Sequence, residues 1–165
     1  MNNATKCRRL HLVDIENLLG DPFPNAFAVE VALSTYVELT GFVEGGDHLV
    51  VACGHGAAWT VGCCLGGHHR LRVRGGKDGA DYELLGVLDY EHPEERYDEV
   101  VLASGDGIFA DRVADLAGRG VPVTVVSRPG SLSHRLRLAA TEVLPFEIDL
   151  GAELAPAVAV TAVAA

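Results

Sequence analysis

The sequence predicts a three-layer α/β sandwich around a central, mainly parallel sheet. Three observations predict it. Short apolar runs alternate with helix-like stretches along the whole chain. The first run is apolar enough to be buried on both faces, as strands of a parallel sheet are. Acidic residues recur where the runs end: Asp14-Ile15-Glu16-Asn17, Asp78-Gly79-Ala80-Asp81, Ser104-Gly105-Asp106-Gly107, and Asp111 five residues further on. A parallel sheet gathers its carboxyl strand ends along one edge. Asp14 and Asp106 would meet there although 92 positions separate them. Clustered carboxylates repel, so a fold that gathers them points to a hard divalent cation.

The elements follow in order. Residues 9–13 form a first strand. Asp21-Pro22-Phe23-Pro24 breaks the chain. Asn25 caps a helix running to about Thr40, with Phe27, Leu33, Tyr36 and Val37 on one face. After the turn Gly45-Gly46-Asp47, residues 48–53 form a second strand. Residues 57–65 read as a short apolar helix closed by Gly66-Gly67. Residues 70–74 alternate apolar and basic side chains, as an edge or one-sided strand does. Residues 81–88 are helical through Leu84, Leu85 and Leu88, and residues 92–96 form a solvated loop. Residues 99–103 make the most central strand. An amphipathic helix follows over residues 108–118, with Ile108, Phe109, Val113 and Leu116 inward. Residues 122–127 are a fifth strand. Ser131 caps a last helix through Leu132, Leu136 and Leu138, and residues 143–146 are a short sixth strand. Residues 1–150 thus make one domain. Residues 151–165, almost all Ala and Val, read as a frayed tail or a partner-bound strand.

Composition sets limits. A length of 165 residues suits one domain with a sizeable core. The net charge of −10 argues against broad nonspecific nucleic-acid binding but leaves room for a local basic groove. No segment reaches membrane-span length, and the polar N-terminus carries no apolar signal core, so no membrane and a cytoplasmic location are expected. Cys7, Cys53, Cys63 and Cys64 read as free thiols. Cys63 and Cys64 lie near His68 and His69, but Zn²⁺ favours spaced ligand pairs, so core cysteines beside a polar turn are the better reading. Gly54-His55-Gly56 follows a strand, yet Trp59 stands where a dinucleotide loop needs its third glycine. No serine sits in a Gly-x-Ser-x-Gly elbow.

Three segments carry a family resemblance. Leu12-Val13-Asp14-Ile15-Glu16-Asn17-Leu18 resembles the opening strand motif of NYN-domain proteins, a branch of the PIN-like nucleases. Gly75-Gly76-Lys77-Asp78-Gly79-Ala80-Asp81-Tyr82-Glu83-Leu84 is similar to their segment entering the central helix. Leu102-Ala103-Ser104-Gly105-Asp106-Gly107-Ile108-Phe109 resembles their Ser-Gly-Asp segment, and Val121-Pro122-Val123-Thr124-Val125-Val126 matches the strand that follows. Together they cover roughly residues 9–146. The resemblance implies a PIN-like fold, bound Mg²⁺ or Mn²⁺, and hydrolysis of RNA phosphodiesters, single-stranded or structured. It implies Asp14, Asp81 and Asp106 as metal ligands and catalytic residues. It also implies Asn17 as a residue that orients a ligand or touches substrate. One departure matters. The pattern often places a second acid two residues after the aspartate of Ser-Gly-Asp, where this chain has Ile108; Asp111, a helical turn later, is the candidate substitute.

The chemistry stands beside the resemblance. A phosphodiester is anionic and resists hydroxide; a divalent ion offsets its charge and acidifies a bound water. Oxygen ligands suit Mg²⁺ or Mn²⁺. Ser104 can hydrogen-bond a ligand or a metal-bound water. Lys77 and Arg74 can meet phosphates, and Arg8, Arg9, Arg72, Arg112, Arg128 and Arg135 are further candidates for a groove. Each has a simpler reading: Asp14 as a cap, Asp106 as a turn aspartate, Asp81 as a first-turn helix acid, Asp111 and the cations as solvated surface charge. Two rival classes stay open. One is a degenerate member that binds RNA without cutting it. The other is an interaction module that forms a homodimer through its sheet edge or apolar tail.

Overall fold

The computed structural model describes residues 8–67 and 69–151. Cys7, His68 and the tail beyond Gly151 lie outside the described residues. In chain order the elements are β1 (Arg9–Asp14), α1 (Ile15–Leu19), α2 (Ala26–Thr40), β2 (His48–Cys53), α3 (Ala58–Cys64), β3 (Arg70–Val73) and α4 (Gly79–Tyr90). Then come β4 (Glu99–Ala103), α5 (Ala110–Gly118), β5 (Val123–Ser127), α6 (His134–Ala139) and β6 (Glu142–Pro145). Single 3₁₀ turns at Pro93–Glu95 and Gly107–Phe109 precede β4 and α5.

The six strands form one sheet in the order β3-β2-β1-β4-β5-β6, and all five pairings are parallel. β1 and β4 are the central pair, and β3 is an edge. The strands are apolar on consecutive residues because helices cover both faces. On one face Leu10, Leu12, Val50, Leu102 and Val125 pack against α4, α5 and α6 through Leu84, Leu88, Val113 and Leu136. On the other, Val13, Val51, Val101 and Val126 pack against α1, α2 and α3 through Ile15, Leu18, Val29, Tyr36 and Val61. The chain winds outward from β1 to β3, returns to β4, and winds outward the other way to β6. The reversal falls between β1 and β4. That is where a sheet of this kind opens a crevice beyond its carboxyl strand ends.

The structure corrects several sequence expectations. α2 buries Ala28, Val29, Ala32 and Tyr36, whereas Phe27 and Val37 face solvent. The helix is apolar nearly all round, so the pattern did not single out a face. Small alanines let it approach the sheet, and the Tyr36 hydroxyl finds the buried His11 Nδ1 at 2.7 Å. The last helix is capped by Ser133, whose hydroxyl accepts from Leu136 N, and Leu138 is exposed. Ser131 instead bonds the Arg128 carbonyl oxygen within the preceding turn. α3 ends on Leu65 in extended conformation, with no left-handed glycine at the cap. The expected solvated loop at 92–96 contains a 3₁₀ turn with Pro93 buried. Among the thiols, Cys53 is buried but Cys63 is exposed. Among the described residues no helix is long and apolar enough to cross a membrane.

Candidate active site at the carboxyl edge of the sheet

Asp14 ends β1 and caps α1: its Oδ1 accepts from Asn17 N at 3.0 Å. The simpler reading of Asp14 is therefore correct as geometry, but it uses one oxygen of a carboxylate that is 4% exposed. Asn17, one helical turn on, straps the neighbouring strand end. Its Oδ1 accepts from Gly105 N at 2.9 Å, and its carbonyl oxygen accepts from Arg128 Nε at 2.9 Å. Asn17, expected to orient a ligand or touch substrate, holds the β4 loop beside β1 with its side-chain oxygen.

Asp81 reaches the same edge by a turn that periodicity does not reveal. Asp78 precedes α4 in the left-handed region (φ 58°), unusual for a residue with a Cβ. The chain then doubles back so closely that a Cβ on Gly79 would collide with the Arg74 carbonyl oxygen. This brings Asp81, 7% exposed, against Asp14, and the two carboxyls share a hydrogen bond. Burial first, and then the charges of Asp14, Asp106 and Asp78, push Asp81 up to about 8. Burial also raises Asp14. Near neutral pH burial and these charges keep the Asp81 carboxyl protonated. Among the described residues nothing hydrogen-bonds the buried Oδ1 of Asp81.

Asp106 follows β4. Its Oδ1 accepts from Ile108 N at 2.8 Å, and its own N–H donates to the fully buried Ser104 hydroxyl at 3.2 Å. Ser104 thus shapes the turn from within. The turn is tight: a Cβ on Gly105 would collide with the Ser131 carbonyl oxygen.

The fold brings together Asp14, Asp81 and Asp106, with Asn17 and Ser104 as the framework that holds them. It does not bring Asp111 among them. That carboxylate is 87% exposed and paired with Arg135 at 2.8 Å. Lys77 and Arg74 are exposed on the loop between β3 and α4, and the Arg74 guanidinium lies 5.2 Å from the Tyr82 ring centroid. Other proposed groove cations are used elsewhere. Arg8 and Arg9 sit at the opposite end of β1, with Arg9 bound to Asp47. Arg72 pairs with Glu91, and Arg112 with Asp89 and Asp115. Among the described members of the histidine and cysteine cluster, His69 lies 3.4 Å from Glu44 and Cys64 donates to the Ala26 carbonyl oxygen.

Sequence reasoning passed over Glu16. Its Oε1 accepts from Gly54 N at 2.7 Å, and its charge helps to raise Asp14. It joins the ends of β1 and β2 and puts a fourth carboxylate beside the cluster. Its presence in Asp14-Ile15-Glu16-Asn17 was the available signal, but its partner lies 38 positions away.

The donor set fits Mg²⁺ or Mn²⁺. Among the described residues no three His, Cys, Asp or Glu side chains form a ready-made metal cage. A hydrated hard ion needs no such cage: Mg²⁺ is usually held by one or two carboxylates, waters and substrate phosphate. The orphaned Oδ1 of Asp81 beside Asp14, with Asp106 and Glu16 close by, would offer all-oxygen ligation once Asp81 is ionised.

Comparisons with known proteins agree with this architecture. The NYN domain family model matches residues 67–149, half of the chain. The "low amplitude and bright protein LabA" of Synechococcus elongatus is 38% identical over 60 residues, which is 36% of this chain and 32% of LabA. The chain thus spans about a third of the length of that curated relative. A crystal structure of a protein of unknown function from Vibrio parahaemolyticus superposes with a TM-score of 0.60 at 18% identity. It covers 89% of this chain and 97% of that one, a likeness of fold.

Proposed function

Because this chain belongs to the NYN-domain family, we propose that it is a divalent-metal-dependent endoribonuclease acting through Asp14, Asp81 and Asp106. One observation carries the reading. Two buried carboxyls are pressed together at the switch point of a parallel sheet, and one oxygen has no partner among the described residues. A structural ion pair would supply a cation from the chain. Here the neighbours of Asp81 are more carboxylates.

Asp14 and Asp81 would hold Mg²⁺ or Mn²⁺, with Asp106 completing the negative side. When bound, the ion supplies charge for the phosphate and acidifies water for the attack. The chain's residues do the rest. Asp81, held protonated by burial, would have to be ionised to hold the ion, so loading would be favoured by rising pH. Asn17 and Ser104 fix the two strand ends, so the carboxylates need not reorganise. Lys77 and Arg74 offer positive charge to the flanking phosphates.

A second reading has its own support. Ile108 replaces an acid, and Asp111 is turned to Arg135. A domain so reduced would bind RNA without cutting it. Cleavage of an RNA substrate in Mn²⁺, compared with EDTA, separates the two. Wild type is expected to cut only with the metal. Asp14→Asn and Asp106→Asn are expected to lose at least about a hundredfold in rate, from several kcal/mol of lost charge stabilisation. RNA binding without cleavage in any divalent ion would favour the degenerate reading. Full activity in both variants would remove the site assignment.

A further inference from the structure

Beyond β6 the described chain ends in a turn. Asp149 Oδ1 accepts from Gly151 N at 2.9 Å, and Gly151 takes the left-handed conformation (φ 68°). The turn stands at a groove of about 550 Å³, which Leu150 itself lines. Leu18 and Leu19 of α1, with Phe146 and Ile148 after β6, supply its other apolar surface. Leu18 and Phe146 belong to the core beneath. Leu19, Ile148 and Leu150 are only half-buried, so part of their apolar area is left uncovered by the described residues. Arg128 lines the same groove. Its guanidinium lies over Gly20, and its Nε donates to the Asn17 carbonyl oxygen. Among the described residues no acid pairs with that guanidinium, Glu147 of the same groove included.

We propose that this groove receives the segment that follows it in the chain, residues 152–165, within the same molecule. The composition of that segment fits the groove. Leu154, Val158, Val160 and Val163 are its large apolar side chains, and Glu153 is its only ionisable one. The leucine and valines match the half-buried apolar lining, and Glu153 matches the unpaired guanidinium of Arg128. Reach fits as well. Leu154 follows Leu150 by four residues, at most about 14 Å of extended chain. A segment on so short a tether meets the groove at an effective concentration on the order of millimolar, so even a weak apolar contact is populated. A small molecule would need several converging polar groups, whereas Arg128 and Glu147 are the only charged side chains of the groove. The docked segment also holds Arg128 against Asn17, the residue that links the ends of β1 and β4.

Methyl NOE spectra of the full chain test the contact. Cross-peaks are expected from the methyl groups of Leu154 and Val158 to those of Leu19 and Ile148, unchanged on tenfold dilution. In a mixture of differently labelled chains these cross-peaks should stay within one chain; finding them between chains would give the groove to a second copy and overturn the proposal. Hydrogen exchange supplies a second readout. The N–H groups of Phe146 and Gly20, bonded to the carbonyl oxygens of Ser127 and Glu16, adjoin the groove. In Leu154→Asp they are expected to exchange at least about tenfold faster. That substitution removes no side chain of either core, so the domain remains folded. Glu153→Gln should have a smaller effect, about twofold, that fades at high salt. Absence of the cross-peaks in wild type, or unchanged exchange in Leu154→Asp, would overturn the proposal.

Discussion

At the scale of the residue, Asp81 is where the fold gives up stability, by burying a carboxyl among other carboxylates. Its carboxyl is pushed up to about 8 in the folded chain by burial and by Asp14, Asp106 and Asp78, against about 4 when unfolded. Between those values the folded chain keeps a proton that the unfolded chain has lost. Stability therefore falls as pH rises from about 4 to about 8 and levels off above, by an amount on the order of a few kcal/mol. Asp81→Asn removes the charge and retains a hydrogen-bonding group of similar size. In EDTA its melting temperature at pH 8 is expected to exceed that of wild type by roughly 5 °C or more, with a flatter pH profile. A profile parallel to that of wild type would mean that Asp81 is already compensated. Asp14 and Asp106 lack so simple a signature, because each also satisfies a backbone N–H, of Asn17 and Ile108.

At the scale of the element, the site depends on loops that hold two strand ends side by side. Asn17 links them, and the Gly105 N–H it receives is buried. Asn17→Ala would leave that donor without its partner, at about 1–3 kcal/mol. The urea midpoint should fall while the slope of the transition stays unchanged. An unchanged midpoint would show that the strap is dispensable. The elements also explain what the sequence made legible. Asp14 and Asp106 could be located because each follows an apolar strand immediately, and strand order fixes where strands end. How Asp81 arrives could not be read, because it depends on a left-handed Asp78 and on Gly79 pressed against Arg74. The role of Glu16 was hidden for a related reason: its partner is a backbone N–H on another strand's loop. The buried face of α2 does not follow from its large side chains, because alanines pack there while Phe27 and Val37 are exposed.

At the scale of the whole molecule, the all-parallel topology makes the cluster possible. β1 and β4 are neighbours although two strands and four helices separate them in sequence. Their adjacency sets Asp14 beside the Ser104-Gly105-Asp106 turn, and the crossover through α4 adds Asp81 from the far side of β2. The opposite edge of the sheet is occupied by structural charge. There Arg9 bonds Asp47 and the carbonyl oxygens of Thr40 and Gly41, so the paired charges lie at the end of the sheet opposite the carboxylate cluster. The central claim is that this edge is a divalent-cation site. Crystals soaked in Mn²⁺ and measured at the manganese absorption edge test it most directly. An anomalous peak is expected between the carboxylates of Asp14 and Asp81, on the side of Asp106. Crystals with this edge open to solvent and no anomalous peak among those carboxylates would contradict it.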